Sequence, residues 1–345
     1  MTNTQTKPKE STMKSVIGGI VGVITCLGLL AAGPVEIDRK FQPYKPEQRV
    51  AGDLRTVGSD TLSNLVLLWA QQFSSAHPGV KIQVEAKGSS TGPAALMEGQ
   101  AQFAPMSRAM KNKERDEFIK KFGYEPVALR VAIDCLAIYV NKDCPLDEIS
   151  MPQIREVFSV DGPDMTWGQL GVTDPRWRDR PISLYGRNAA SGTYGFFKSV
   201  ALGGSDYKPS VKEAPGSAGV IQGVASDPLG MGYSGIGFRT PDVKVLHVAP
   251  ETGDEAVEPT QEAANYGEYP LARNLYIYVN YDRNSGLDPL RAEFVRLIYS
   301  RDGQESVIKD GFFPVSSRIA IEDMGKVGLE FPTSKEQATV PSNDG

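Results

Sequence analysis

Three short runs combine glycine with hydroxyl side chains, and each stands between a strand-like and a helix-like segment: Gly58-Ser-Asp-Thr61, Gly88-Ser-Ser-Thr-Gly92 and Gly186-Arg-Asn-Ala-Ala-Ser-Gly-Thr193. A helix starting at such a turn presents unpaired backbone N–H groups and about half a positive charge, so its N-terminus is a ready seat for a small oxyanion. Ser and Thr hydroxyls add neutral donors, and glycine lets the backbone approach without a Cβ in the way. One such turn is ordinarily a helix cap. Three in one chain are a stronger signal, the more so because Arg187 stands four residues before Ser191 in the third. A guanidinium fork makes two parallel hydrogen bonds and suits a tetrahedral oxyanion.

The flanking segments must hold these turns. Leu54–Val57 reads as a strand, and Leu62, Leu65, Val66, Trp69 and Phe73 then recur at helical spacing, which predicts a helix from about Thr61 to Ser75. Val80–Glu85 alternates as a strand does, and Pro93 marks the first turn of the helix that follows the second run. Ile182–Tyr185 is a strand and Tyr194–Ala201 a helix around the third. Strands alternating with helices predict an α/β protein with substantial parallel pairing.

Composition narrows the chemistry. The chain has 345 residues and a net charge of −5, enough length for about two domains and no basic footprint for nucleic acid. An acidic protein must hold an anion by a local site. With two histidines, His77 and His247, a histidine metal cluster or a hydrolytic triad has little to draw on, and the pattern calls for no metal or cofactor. There is no H-E-x-x-H and no histidine base near Ser191, so the sequence argues against an enzyme. His77 precedes Pro78-Gly79 and is expected to be a solvated turn residue, and His247 lies in a strand-like run. Cys135 and Cys144 are expected to be unpaired, because the strand through Val140 carries the first away from the second. Cys26 lies in the apolar N-terminal segment.

From Val16 to Ala32 that segment is nearly all apolar or glycine, with Lys14 before it. Residues 1–33 therefore read as a secretory signal peptide or as an uncleaved membrane anchor (a transmembrane helix through 16–32), and either sends the rest out of the cytoplasm. Residues 34–49, rich in proline and charge, read as a linker, and residues 332–345 as a flexible tail.

At the three turns the sequence resembles the phosphate-binding proteins of Pst-type ABC importers, within the class II periplasmic binding proteins; the similarity runs from about Leu54 to Pro314. The resemblance implies a two-lobed α/β fold of type II with the ligand cleft between the lobes, lobe one being residues 50–134 plus 271–331 and lobe two residues 135–270. Its sharpest part, Gly186–Phe197, is similar to the family's Arg-x-x-x-Ser-Gly-Thr loop and implies ligand roles for Arg187, Ser191, Gly192 and Thr193. The other turns imply Thr61, Leu62, Ser89 and, beside it, Ser90; Gly230–Gly237 resembles a strand that carries no ligand. The implied function is capture of inorganic phosphate outside the cytoplasm for an ABC permease and its ATPase.

One departure matters. Where many phosphate binders carry an Asp that accepts the proton of hydrogen phosphate, this chain reads Gln102-Phe-Ala-Pro-Met-Ser-Arg108, with Ser107 at that place. Asp60, inside the first turn, is the candidate substitute acceptor; its other reading is a cap of the helix at Thr61. Arg108 either adds charge to the pocket or pairs with a carboxylate. Two other readings stand beside phosphate: another oxyanion (sulfate, molybdate, tungstate), and a membrane-anchored anion sensor.

Overall fold

The run Val127–Asn141 is aliphatic on both faces, as a strand covered on both sides must be, and it forms one long strand buried almost throughout. It is the spine of a computed structural model that describes residues 1–2 and 35–332. The apolar segment Val16–Ala32, with Cys26, and the tail from residue 333 lie outside the described residues. Among the described residues no helix is long and apolar enough to cross a membrane.

In chain order the strands are β1 (Ala51–Val57), β2 (Gly79–Glu85), β3 (Phe103–Met106), β4 (Val127–Asn141), β5 (Glu148–Ser150), β6 (Ser183–Arg187), β7 (Lys212–Ala214), β8 (Gly230–Gly235), β9 (Val243–Ala249) and β10 (Ala272–Val279). The helices are α1 (Ser63–Ala76), α2 (Gly92–Met97), α3 (Asn112–Phe122), α4 (Met151–Phe158), α5 (Gly192–Val200), α6 (Ser217–Ser226), α7 (Gln261–Tyr266), α8 (Pro289–Ile298), α9 (Arg301–Lys309) and α10 (Ser317–Lys326).

The sheet runs β2-β1-β3-β10-β4-β8-β6-β7, with β9 also on β4 and β5 on β9. The β1–β2, β1–β3, β6–β7 and β6–β8 pairs are parallel, and β10 and β4 run antiparallel to their neighbours. β4 changes partner midway. Val127–Cys135 pairs with β10, and Leu136–Val140 pairs with β8. Each half of β4 thus belongs to a different half-sheet, and each half-sheet with its helices is a lobe.

In the first lobe α1 is positioned by the predicted stripe: Leu62, Leu65, Val66, Trp69 and Phe73 are all fully buried. Each such side chain contributes roughly 1.5–3 kcal/mol by leaving water. The Trp69 indole also donates to the Gly303 carbonyl on α9 at 2.9 Å.

Three expectations need correction. Residues 35–49 are docked, not a free linker: Phe41 is 1% exposed and meets Phe331 edge-on at 5.2 Å. Asp38 accepts from the Ser317 amide at the start of α10 (3.0 Å), and Glu36 and Gln261 exchange two hydrogen bonds of 2.9 Å. His77 is buried rather than solvated, because Tyr44 of this same segment covers it. The Tyr44 hydroxyl donates to Glu293 at 2.8 Å and lies 2.8 Å from His77 Nε2, while the Val50 amide donates to Nδ1 at 3.4 Å. That order makes Nε2 the protonated nitrogen of a neutral ring, and burial holds His77 below the usual imidazole range. Asp60 does not cap its helix; Ser59 does. Cys135 and Cys144 are free and buried, as expected.

Candidate anion-binding site

β1 ends at Val57, and the chain turns through Gly58 and Ser59 into a short 3-10 turn, Asp60–Leu62, that leads into α1. Ser59 Oγ accepts from the Thr61 amide at 3.2 Å and donates to Ser107 Oγ at 3.0 Å. Leu62 sends its side chain into the core. β2 is followed by a second 3-10 turn, Ser89–Thr91, entered through Gly88 at φ 112°. There a side chain would be strained and would also meet the Ala190 carbonyl oxygen at 2.5 Å, so glycine serves both the turn and the approach of the opposite lobe.

In the second lobe β6 delivers Arg187 and α5 begins at Gly192, with Ser191 as its cap. Ser191 Oγ accepts from the amides of Thr193 (3.1 Å) and Tyr194 (3.4 Å). Arg187 is 1% exposed. Its Nη1 donates to Ser217 Oγ at 2.6 Å, its Nη2 to the Pro215 carbonyl at 3.3 Å, and Nη2 lies 3.3 Å from Asp60 Oδ2. Its Nε has no partner within the protein. Burial pulls this guanidinium below its usual range and Asp60 pulls it back, but arginine remains a cation in a protein. Behind it, burial pushes the Tyr233 phenol up to about 12, so a neutral hydroxyl faces the Arg187 amide at 3.3 Å.

These pieces meet across the lobes. Thr61 Oγ1 and Thr193 Oγ1 are 3.0 Å apart, the Ser90 amide donates to Ala190 O at 3.2 Å, and the Ser217 amide donates to Asp60 at 2.8 Å. A Cβ on Gly192 would collide with the hydroxyl oxygens of Ser89 and Ser107, so only glycine lets α5 start here. The protein is therefore closed at this point.

The hydroxyls form an ordered run. Ser107 Oγ accepts from Ser59, Ser89 Oγ accepts from the Ser107 amide at 3.1 Å, and the two oxygens are 3.3 Å apart. A hydroxyl that accepts keeps its own proton to give, so the run ends in an uncommitted donor whichever way the last pair points. The Thr61–Thr193 pair ends the same way. These uncommitted hydroxyl hydrogens and the unpartnered N–H of Arg187 Nε are donors of the kind an oxyanion requires.

Of the residues expected from sequence, the structure brings together Thr61, Ser89, Ser107, Arg187, Gly192 and Thr193, with Ser191 as the cap beneath them and Asp60 beside Arg187. Ser90 is turned outward; its hydroxyl accepts from Arg108 at 3.3 Å. Arg108 pairs with Glu114 at 2.6 and 2.8 Å, which settles its two readings in favour of a carboxylate partner. Sequence reading missed Ser59, Ser217, Asp134 and Arg273. The last two form a buried ion pair at 2.7 Å, and Arg273 also reaches Ser107 O (2.9 Å) and Thr193 Oγ1 (3.0 Å). A charge inside the apolar run Val131–Val140 was the available signal. Among the described residues no group of His, Cys, Asp or Glu could hold a metal ion.

Residues 44–302 match the PBP superfamily domain. Over 323 residues the chain is 43% identical to the phosphate-binding protein PstS of Pseudomonas aeruginosa, covering 92% of this chain and 99% of that protein. It is 29% identical over 284 residues to the phosphate-binding protein PstS of Bacillus subtilis, covering 81% and 86%. Its fold is similar to a putative phosphate ABC transporter substrate-binding protein with bound phosphate from Clostridium perfringens (TM-score 0.65, 22% identity, 77% of this chain and 100% of that one). It is also similar to an ABC-type phosphate transport receptor from Vibrio cholerae (TM-score 0.60, 23% identity, 76% and 100%). These likenesses identify the two-lobed architecture as the type II periplasmic-binding-protein fold.

Proposed function

The chain belongs to the PstS-like phosphate-binding proteins of the PBP superfamily, and from that premise we propose that it captures inorganic phosphate between its lobes for import by an ABC transporter. It is a solute-binding protein, not an enzyme. The observation that carries the site assignment is Arg187, buried at 1% exposure with Nε unpartnered beside a run of hydroxyl donors. Arg187 supplies the charge. Thr61, Ser89, Ser107 and Thr193 supply hydroxyls, and the turn amides at Leu62 and Gly192 the helix-terminal donors, the Thr193 amide being held by the Ser191 cap. Lobe one is residues 50–134 plus 271–331 and lobe two 135–270, a division supported by the change of partner of β4 after Cys135. The closed form, stabilised by ligand contacts to both lobes, is the one a permease with its ATPase takes up. The apolar N-terminal segment exports the chain to an extracytoplasmic place of work, as a cleaved signal or as an anchor.

Selectivity is assigned to Asp60. It is a carboxylate at the cluster's edge, 25% exposed, and for the hydrogen of a protonated oxyanion a carboxylate is a stronger acceptor than the surrounding hydroxyls. The hydroxyl and arginine donors by themselves equally suit sulfate, molybdate or tungstate, the second reading. Calorimetric titration with phosphate, sulfate, arsenate and molybdate decides between them. Binding of phosphate and not sulfate, abolished in Arg187→Ala, is the expected result; no binding of any oxyanion ends the proposal.

A further inference from the structure

Arg273 occupies the second position of β10 and lies directly opposite Asp134 in the β4 register. Its Nε and Nη2 donate to Asp134 Oδ2 at 3.0 and 2.7 Å, while Asp134 Oδ1 accepts from the Ile236 amide at 3.0 Å. Nη1 donates to the Ser107 carbonyl at 2.9 Å, and the second hydrogen of Nη2 goes to Thr193 Oγ1 at 3.0 Å. The guanidinium carbon also lies 5.3 Å from the centre of the Phe196 ring, one turn along α5 from Thr193. One rigid planar group therefore touches the first lobe at Ser107, the strands β4 and β10 that join the lobes, and the first turn of α5 in the second lobe.

We propose that Arg273, aimed by Asp134, is the positioning residue that docks the Thr193 hydroxyl as the lobes close and sets it as a donor to the bound oxyanion. The inference rests on the reading of this cluster as the phosphate site. The polarity follows from the inventory of protons. Arginine only donates, so Thr193 Oγ1 accepts from it and retains its own hydrogen for the anion or for Thr61. The fork is held in place before closure, because both Asp134 and Arg273 sit on the joining strands, and α5 must arrive at it. Arg273 thus differs from Arg187: it acts on the ligand through a hydroxyl and does not itself contact it.

The test is a double-mutant cycle on the full chain, read by calorimetric phosphate titration. Asp134→Asn/Arg273→Gln removes both charges together and avoids stranding a buried one, and Thr193→Val removes the hydroxyl. Each is expected to weaken phosphate binding about tenfold to a hundredfold, the range for one hydrogen bond to a charged partner. Combined, they should lose no more than the larger single loss, because both break the same link. Losses that multiply overturn the positioning role and leave Arg273 a structural ion pair. Should the neutral pair fail to fold by circular dichroism, Arg273→Lys replaces it, keeping a charge for Asp134 without the second arm on Thr193, and the same coupling is required. A wild-type chain that binds phosphate while the losses multiply sinks only this inference. A wild-type chain that binds no oxyanion sinks the reading beneath it as well.

Discussion

Two buried arginines stand at the same cluster, and their surroundings differ in what is left over. Arg273 has four of its five N–H donors engaged within the protein: Asp134 takes two, the Ser107 carbonyl a third and Thr193 a fourth. Arg187 is held more loosely by Ser217, a 3.3 Å contact to Pro215 and a 3.3 Å contact to Asp60, and its Nε is uncommitted. An unsatisfied donor on a buried cation costs about 1–3 kcal/mol, a penalty a protein keeps where something else completes the bond. A buried charge whose every nitrogen has a protein partner builds structure, and one with a nitrogen left unpartnered is set for a ligand.

The sharpest way to break this contrast is to remove each arginine's function separately. Arg187→Ala is expected to weaken phosphate binding at least about a thousandfold, roughly 4 kcal/mol, with little loss of folding stability; titration and urea melts give the two readings. Asp134→Ala should do the reverse in weight. It leaves Arg273 buried and unpaired, so folding stability drops by about 3–4 kcal/mol in urea melts. If both variants lose stability and affinity in equal measure, the distinction between the two arginines fails.

Smaller effects sharpen it. Asp60→Asn should reduce discrimination between phosphate and sulfate by about tenfold in competition titrations, since it removes the acceptor charge beside Arg187; unchanged selectivity denies Asp60 that part. On the Arg273 side, burial pushes Asp310 up to about 7, opposed by a backbone bond from Leu65 and aided by the charge of Asp134. An unfolded Asp titrates near 3.9, so between about pH 4 and 7 the native state holds a proton that the unfolded state has released. Stability from this group is therefore greatest at low pH, falls as pH rises to 7, and is level above. Asp310→Asn should stabilise by about 1–2 kcal/mol at pH 8, allowing for solvent screening of a half-buried group, and by almost nothing at pH 4. Urea melts at the two pH values check the sign.

The contrast also explains which parts could be read from sequence. Arg187 lies within a few residues of the serine, glycine and threonine it works with, and the apolar stripe of α1 declares its own buried face. Both are local patterns. Arg273 and Asp134 are 139 residues apart, and a lone charge in an apolar strand signals a partner without saying where in the chain it lies. Ser217 enters through its contact with Arg187, 30 residues back. His77 was misjudged for the same reason: the turn at Pro78-Gly79 is real, but the lid over the ring is Tyr44, 33 residues upstream. Ser90 shows the opposite limit. Two adjacent serines look alike in a motif, and only the twist of the 3-10 turn sends one inward and the other to Arg108.

The docked segment 35–49 bears on where the chain can be cut and still keep its fold. Phe41 fills a slot against Phe331, and Tyr44 donates to Glu293 and completes the proton order that keeps His77 neutral. A proteolytic cut at the start of β1 would strip both away, open a cavity the size of a phenylalanine and leave a buried carboxylate short of its partner, a loss of roughly 3–5 kcal/mol from the aromatic ring alone. A cut that keeps the body intact must therefore fall upstream of Phe41, and a version trimmed at Val50 would begin life damaged.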